Sequence, residues 1–552
     1  MAEALAAVHM PEIRPVPAPP TFESLGLRAS LVSAIHAAFP NVQHPTPTQA
    51  KLIPAILRNK DVVLQDEAGS GKTFGLVLAS LNKPRLKYSN SEKPSITSIF
   101  LVPHRDLAHQ IQWWIQRITE SSGRNPPSLD TVVQVLLRDD NAHLGPGLQL
   151  LQERPPHILV ATPAGFHEAL EKQGDLIDFN LLSTIIIDEI DYLVETVPKT
   201  SPKLAQRLHK KIEKHPGITR EILHTVYGHR GRLTSENREE LVNEPIRAPQ
   251  LVVSSATLRN HLKDYLWKES GIIKLGVDAV TVRGNAVHLH AKEKMASTAL
   301  HRDISHHVLV VSNNRIQNIS GAVEAEDEGR VVSVSAQNDE EGDVILDKSD
   351  AELEREQGED LNSYSHSSIH LDTIVYSMSP SPINQDALEA IAAAFALYVP
   401  SIALLIVPST TSVYRAVYDL RSLGVNAFNV DMLQDRNGRM HLLSGGAEKV
   451  RANPTLLVTT NAAVRGLDLP ALQHVFILGV QNLDGESVTS RTLDAYIHSA
   501  GRVGRFGKRG QVISVIEDDS RPNSGKEGTS VKAIRAILQR LGIKPLMLKQ
   551  FE

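Results

Sequence analysis

The chain has 552 residues, 41% of them hydrophobic and 22% charged, which suits two large globular domains with insertions. It contains no cysteine, which excludes disulfides, thiolate zinc sites and cysteine nucleophiles, and no apolar run approaches the ~20 residues of a membrane span, so no membrane partner is expected. Net charge is −5, but residues 321–360 hold 15 Asp or Glu against 3 Lys or Arg, so the rest carries +7 and is compatible with a polyanion ligand.

Residues 1–20 are rich in Ala and Pro and read as a flexible lead. They lack the basic start and apolar core of a secretory signal, and with Arg14 as their one arginine they make a poor organelle transit peptide, so an intracellular protein is expected. An amphipathic helix is predicted over 22–39, faced by Leu25, Leu27, Leu31, Ile35 and Phe39. Pro40, Pro45 and Pro47 break it, and Thr48 and Gln49 open a second helix. Residues 62–73 then pass from an apolar β run, through Asp66, Glu67, Ala68, Gly69, Ser70 and Gly71, to Lys72 and Thr73 at the head of an apolar helix. Strand, glycine turn and helix N-terminus together make a phosphate loop. Its backbone N–H groups turn on an anion, Lys72 reaches the outer phosphates, and the Thr73 hydroxyl can hold Mg²⁺. Asp66 stands where the pattern has Gly or Ala, and its carboxylate is expected to repel phosphate.

Further β runs at 98–102, 132–137, 157–160, 184–187 and 251–254 alternate with helical patterns, the first over 105–118. That alternation predicts a parallel, doubly wound α/β sheet with ligands at the carboxyl ends of its strands. The first domain is expected over 21–278, with a polar, basic insertion containing helices at 192–250, and a linker at 279–305. A second α/β pattern is expected over 306–545, with strands at 307–311, 402–407, 455–458, 475–478 and 511–515 and helices at 386–398, 413–423 and 530–541. An acidic insertion, 313–385, is too charged and poor in aromatics to form a core and is expected mostly disordered. His288, His290, His306 and His307 read as surface or strand histidines rather than metal ligands.

The strand at 184–187 ends in Asp188, Glu189, Ile190 and Asp191. A carboxylate just past an apolar strand, beside a phosphate loop, is where Mg²⁺ is held, which suits Asp188. Glu189 suits a base that orients the attacking water.

This ordered set resembles the DEAD-box RNA helicases of superfamily 2, from Phe22 to about Val515. The resemblance implies two RecA-like domains in tandem, ATP and Mg²⁺ as cofactors, and RNA held through its backbone without base reading. It assigns adenine recognition to Phe22 and Gln49, and nucleotide binding to Ala68, Gly69, Ser70, Gly71, Lys72 and Thr73. RNA contacts fall to Arg105, to Thr162 and Pro163, and to Thr460, with Gly165 where the family has arginine. Asp191, Ser255, Thr257 and His498 couple hydrolysis to strand separation. Gly466 and Asp468 lie near the nucleotide. Arg502 and Arg505 resemble arginine fingers, and Ser499 stands where the family has arginine. Residues around Pro408, and Gln434 with Arg436 and Arg439, are weaker matches. The implied activity is an ATP-driven clamp on single-stranded RNA that opens short duplexes, with rRNA processing or ribosome assembly as its setting. Ribosomal or assembly proteins are the implied partners, and a monomer is expected. Residues 500–505 and the loop at Glu67 look like mitochondrial members, with nucleus or nucleolus next. A non-enzymatic RNA-binding assembly factor, a degenerate helicase, is the alternative that Asp66, Ala68, Gly165 and Ser499 favour.

Overall fold

The computed structural model describes residues 19–66, 69–85, 95–138, 147–173, 177, 179, 181–197, 202–232, 248–273, 279–284, 304–312, 315–324, 376, 379–430, 454–464, 472–481, 483, 488–503, 509–520 and 527–551. The chain divides into two units, Met1–His288 and Leu289–Glu552. Among the described residues each is built on one seven-stranded sheet.

The first unit runs α1 (Ala29–Ala38), α2 (Pro47–Leu57), β1 (Asp61–Gln65), α3 (Lys72–Asn82), β2 (Ser98–Leu101), α4 (Arg105–Glu120), α5 (Leu129–Val132), β3 (Val133–Leu136), α6 (Gly147–Glu153), β4 (Ile158–Ala161), α7 (Pro163–Lys172), β5 (Thr184–Ile187), α8 (Ile190–Leu193), α9 (Pro202–Lys214), α10 (Ile218–Arg232), β6 (Gln250–Ser255), α11 (Asn260–Asp264) and β7 (Ala279–Arg283). The sheet order is β3-β4-β2-β5-β6-β1-β7, every pair parallel. Parallel strands covered on both faces read as continuous apolar runs, and the alternation of side chains divides each run between two cores. Val62 and Leu64 of β1 pack with Ile35, Ile53, Leu76 and Ile111 on one face. Val63 packs with Phe166, Leu223 and Tyr227 on the other.

The second unit runs β8 (Ile304–Ser312), β9 (Arg315–Asn318), α12 (Gln385–Tyr398), β10 (Ile402–Val407), α13 (Val413–Ser422), β11 (Ala427–Asn429), β12 (Thr455–Thr460), β13 (His474–Leu478), α14 (Ser490–Ala500), β14 (Gly510–Glu517) and α15 (Thr529–Leu541). Its order is β11-β12-β10-β13-β14-β8-β9, parallel except for the β8–β9 hairpin. The protein is thus two parallel-sheet α/β domains in tandem.

The bounds of three segments, and of the first helix, are corrected. The stretch 192–250 is not wholly an insertion: α10 sends Ile222, Leu223, Val226 and Tyr227 into the core beneath the sheet, so it is the crossover helix between β5 and β6. The linker does not begin at 279, because Ala279–Arg283 pairs with all of β1 as the edge strand. The second insertion does not begin at 313, because β9 pairs with β8 and Asn318 Nδ2 donates to the Leu548 and Phe551 carbonyls at 3.0 and 2.8 Å. Nor does it extend to 385: Arg415 of α13 donates to the Tyr376 and Ser379 carbonyls, both at 3.0 Å, fastening the approach to α12. The expected disorder over its middle falls outside the described residues. Near the N-terminus the first helix is also shorter than its pattern: Gly26, at φ 96°, ends a single 3₁₀ turn before α1 begins.

Candidate functional site

β1 delivers the chain into the glycine turn. Gly69 and Gly71 sit at φ 82° and 83°, a conformation that disfavours any residue with a Cβ. A Cβ on Gly71 would also stand 2.6 Å from Gln49 Nε2. Gly71 caps α3, so the free N–H groups and the dipole of that helix face the turn. Lys72 Nζ donates to the Asp66 carbonyl at 2.7 Å, and Ser70 Oγ is buried without a hydrogen-bond partner. An ammonium and an orphaned hydroxyl in a glycine turn at a helix N-terminus suit a phosphate.

The start of α2 holds this turn from behind. Thr46 and Gln49 form a capping box, with Thr46 N donating to Gln49 Oε1 at 3.0 Å. Thr46 Oγ1 donates to the Ser70 carbonyl at 2.8 Å and Gln49 Nε2 to the Gly71 carbonyl at 3.0 Å. Gln49 therefore shapes the loop with both ends of its amide. Phe22, which the resemblance assigns to adenine, is a core residue. It is 1% exposed, packed in the core with its ring 6.4 Å from that of His36. The apolar ring gains more from burial under α1 than from an open edge.

Asp66 also departs from expectation. Its carboxylate accepts from the Thr48 hydroxyl and packs so tightly on Gly284 that a Cβ there would overlap it. The backbone of Asp66 serves the loop, while its charge is 3% exposed on the β7 side. Lys263, near the end of β1, donates to Gln65 Oε1 at 3.3 Å. Burial and the neighbouring Arg283 hold its ammonium below the usual lysine range.

Opposite the loop, Thr73 Oγ1 donates to Asp188 Oδ2 at 2.6 Å. Asp188 Oδ1 accepts from the Ser254 hydroxyl and from Glu189 N at 3.1 Å. This hydroxyl and carboxylate form a hard-oxygen donor pair that fits Mg²⁺. Glu189 takes the left-handed conformation, φ 54°, as the residue that caps α8, two residues after β5 ends. Such backbone in a residue with a Cβ is costly and clusters at functional sites. Two residues on, Asp191 accepts from Ser255 Oγ at 2.7 Å and Thr257 Oγ1 at 2.6 Å. The structure thus joins three of the expected coupling residues directly.

The proposed RNA contacts lie along neighbouring strand ends. Arg105 opens α4 after β2, exposed, with His104 Nδ1 capping Leu107 N at 3.3 Å. Thr162 caps α7 after β4, accepting from Gly165 N at 3.4 Å, with Pro163 in its first turn. Gly165 has a steric cause: a Cβ there would lie 2.8 Å from the Leu136 carbonyl oxygen.

In the second unit, Thr460 ends β12 and its Oγ1 accepts from Ala463 N at 3.3 Å. His498 lies in the last turn of α14, and its carbonyl accepts from Arg502 Nε at 3.0 Å. Ser499 is buried and donates to Asn461 Oδ1 at 3.4 Å, tying α14 to the end of β12. Tyr496 OH meets His306 Nδ1 at 2.9 Å, and burial drives its phenol far above the usual range. Ala68, Gln434, Arg436, Arg439, Gly466, Asp468 and Arg505 lie outside the described residues.

Ser254 and Gly284 are site residues that sequence reasoning missed, and it gave Thr46 and Thr48, beside Gln49, no role in shaping the loop. Only the Thr46–Gln49 capping box had a local signature.

Comparison with known proteins places these features. The DEAD/DEAH box helicase family matches residues 46–265, and the helicase conserved C-terminal domain matches 399–507. The "Probable ATP-dependent RNA helicase DDX28" of Homo sapiens is 32% identical over 197 residues, covering 34% of this chain and 34% of that protein. "ATP-dependent RNA helicase MAK5" of Saccharomyces cerevisiae is 23% identical over 518 residues, covering 91% of this chain and 54% of its own length. The matched regions thus span about a third to about half of these curated relatives. The fold is that of S. cerevisiae Dbp5 bound to RNA and ADP BeF3, at a TM-score of 0.53 and 17% identity, covering 96% of this chain and 95% of that one. With both halves matched in order and Asp188 to Asp191 at the end of β5, the chain belongs to the DEAD-box RNA helicases of superfamily 2.

Proposed function

We propose that this protein is an RNA-dependent ATPase that couples ATP binding and hydrolysis to clamping of single-stranded RNA and local opening of short duplexes. The observation that carries the reading is the 2.6 Å pairing of Thr73, from the phosphate loop, with Asp188, from the β5 end. It brings a phosphate cradle and an acidic metal position to one point. Bound there, Mg²⁺ would neutralise charge on the outer phosphates. Lys72 would hold those phosphates, and Glu189 would orient and deprotonate the attacking water. Arg105, Thr162, Pro163 and Thr460 would grip RNA phosphates and riboses without reading bases. Gly466 and Asp468 would line the nucleotide, and Arg502 and Arg505 would reach the γ-phosphate as the clamp closes. ATP and RNA each favour closure because each binds groups from both halves, and hydrolysis with product release reopens it. His498 would meet the Asp191, Ser255 and Thr257 cluster in that closed state.

ATP hydrolysis measured with and without oligouridine tests this. RNA should raise the rate of the native protein. Lys72→Ala should abolish hydrolysis, and Glu189→Gln should bind ATP and RNA without turnover. Equal rates with and without RNA would overturn the RNA-driven clamp.

Two departures that favoured a degenerate, non-enzymatic assembly factor lose force. The Asp66 charge is turned onto Thr48 and Gly284, and Gly165 answers to a backbone contact. Ribosomal RNA processing or ribosome assembly is the setting that the resemblance supports. The likeness of residues 500–505 to mitochondrial members supports a mitochondrial setting ahead of nucleus or nucleolus. Crosslinking the protein to cellular RNA and sequencing the bound fragments tests both points.

A further inference from the structure

Position 165 cannot carry a cation. Besides the 2.8 Å approach to the Leu136 oxygen, a Cβ there would stand 3.3 Å from Leu137 Cα. The first turn of α7 is pressed against the end of β3. Any side chain at 165 must displace backbone, the least yielding kind of neighbour.

The same close approach brings another cation over α7 from the adjacent strand. Arg138 follows directly on Leu136 and Leu137, and its Nε donates to Glu168 Oε2 at 2.7 Å, one turn beyond Gly165. Glu168 also takes Lys172 Nζ, at 2.7 Å, on its other oxygen. One carboxylate thus bridges two cations on the surface of α7. The Arg138 side chain is 47% exposed, so part of its guanidinium faces solvent.

Arg138 is aligned with the expected RNA contacts. The order β3-β4-β2 makes the three strands neighbours, with Leu136, Ala161 and Leu101 in register. Arg138 lies two residues beyond β3, Thr162 one beyond β4, and Arg105 four beyond β2. At about 4.8 Å between strands, they occupy one rim roughly 10 Å across at the carboxyl end of the sheet.

We propose that Arg138 supplies the cationic contact to an RNA phosphate that Gly165 cannot, with Glu168 holding it over α7. The inference rests on the RNA-clamp reading and deepens it. A guanidinium is suited to the role because its donors remaining after the Glu168 bond match phosphate oxygens.

Binding of fluorescein-labelled oligouridine across a salt series, with Mg²⁺ and a non-hydrolysable ATP analogue, tests it. Arg138→Ala and Arg138→Gln should weaken binding by roughly three- to tenfold, and lower the slope of log affinity against log salt by about 0.7, one single-strand phosphate contact. Arg138→Lys should keep that slope, since the charge stays. Glu168→Gln should bind as tightly as the native protein or more so. Weakened binding with an unchanged salt slope in Arg138→Ala, or an equal loss in Glu168→Gln, would show that the ion pair only steadies α7 and would overturn the proposal. Failure of the native protein to bind the oligouridine would instead overturn the clamp reading, and this inference with it.

Discussion

Asp66 shows how a charge can stand inside a phosphate loop without opposing phosphate. The main-chain oxygen takes the Lys72 ammonium, while the carboxylate is turned onto the Thr48 hydroxyl beside Gly284. Asp66→Ala should therefore leave the Michaelis constant for ATP within about twofold. It should lower stability by about 1–3 kcal/mol, because Thr48 loses a buried partner. ATP titration of the hydrolysis rate and a urea melt check the two halves. A large drop in the Michaelis constant would mean that the carboxylate does face the phosphates. Sequence pattern supplied the position but not the direction, because Thr48 reaches Asp66 from α2 and Gly284 reaches it from just past β7, contacts that no local pattern marks. Ser254 was hidden for a similar reason. Its contact with Asp188 crosses 66 residues, whereas Lys72 and Thr73 announce themselves by spacing alone.

Among the elements, α10 is the most instructive. Polar, basic composition made 192–250 look like one appendage, yet α10 repeats apolar side chains at Ile222, Leu223, Val226 and Tyr227, the spacing of a core-facing helix. The long basic run of α9 masks that stripe. Tyr227 is fully buried and among the largest such side chains, so Tyr227→Ala should destabilise the first unit by about 3–5 kcal/mol. His224→Ala, on the exposed side of the same helix, should change it by less than about 0.5 kcal/mol. Chemical denaturation followed in the first unit discriminates the two, and equal effects would deny α10 its place in the core. The central strands were legible because burial on both faces demands unbroken apolar runs, so 184–187 and 402–407 carry the boundaries expected of them. The edge strands β7 and β9 were not, since Thr281 and Gln317 interrupt the apolar pattern that marks a strand from sequence alone.

At the scale of the molecule, two similar sheets end differently. The first has the parallel strand β7 at its edge, while the second ends in the hairpin strand β9 beside residues 545–551. Asn318 N donates to the Phe551 carbonyl at 3.1 Å, Leu546 N to the His306 carbonyl at 2.8 Å, and Met547 N to the Val323 carbonyl at 2.9 Å. Leu548 and Phe551 enter the core on one face of this sheet. Residues 545–551 therefore use main-chain groups and cover apolar surface that would otherwise lie open. An open sheet edge is a template for another copy of the chain. A variant ending before Pro545 should remain folded yet self-associate, its light scattering rising with concentration while the full chain stays monodisperse. A truncated protein that stayed monodisperse would show that β9 alone is guard enough. Self-association of the truncated protein would make the short segment after α15 what keeps this chain apart from its own copies.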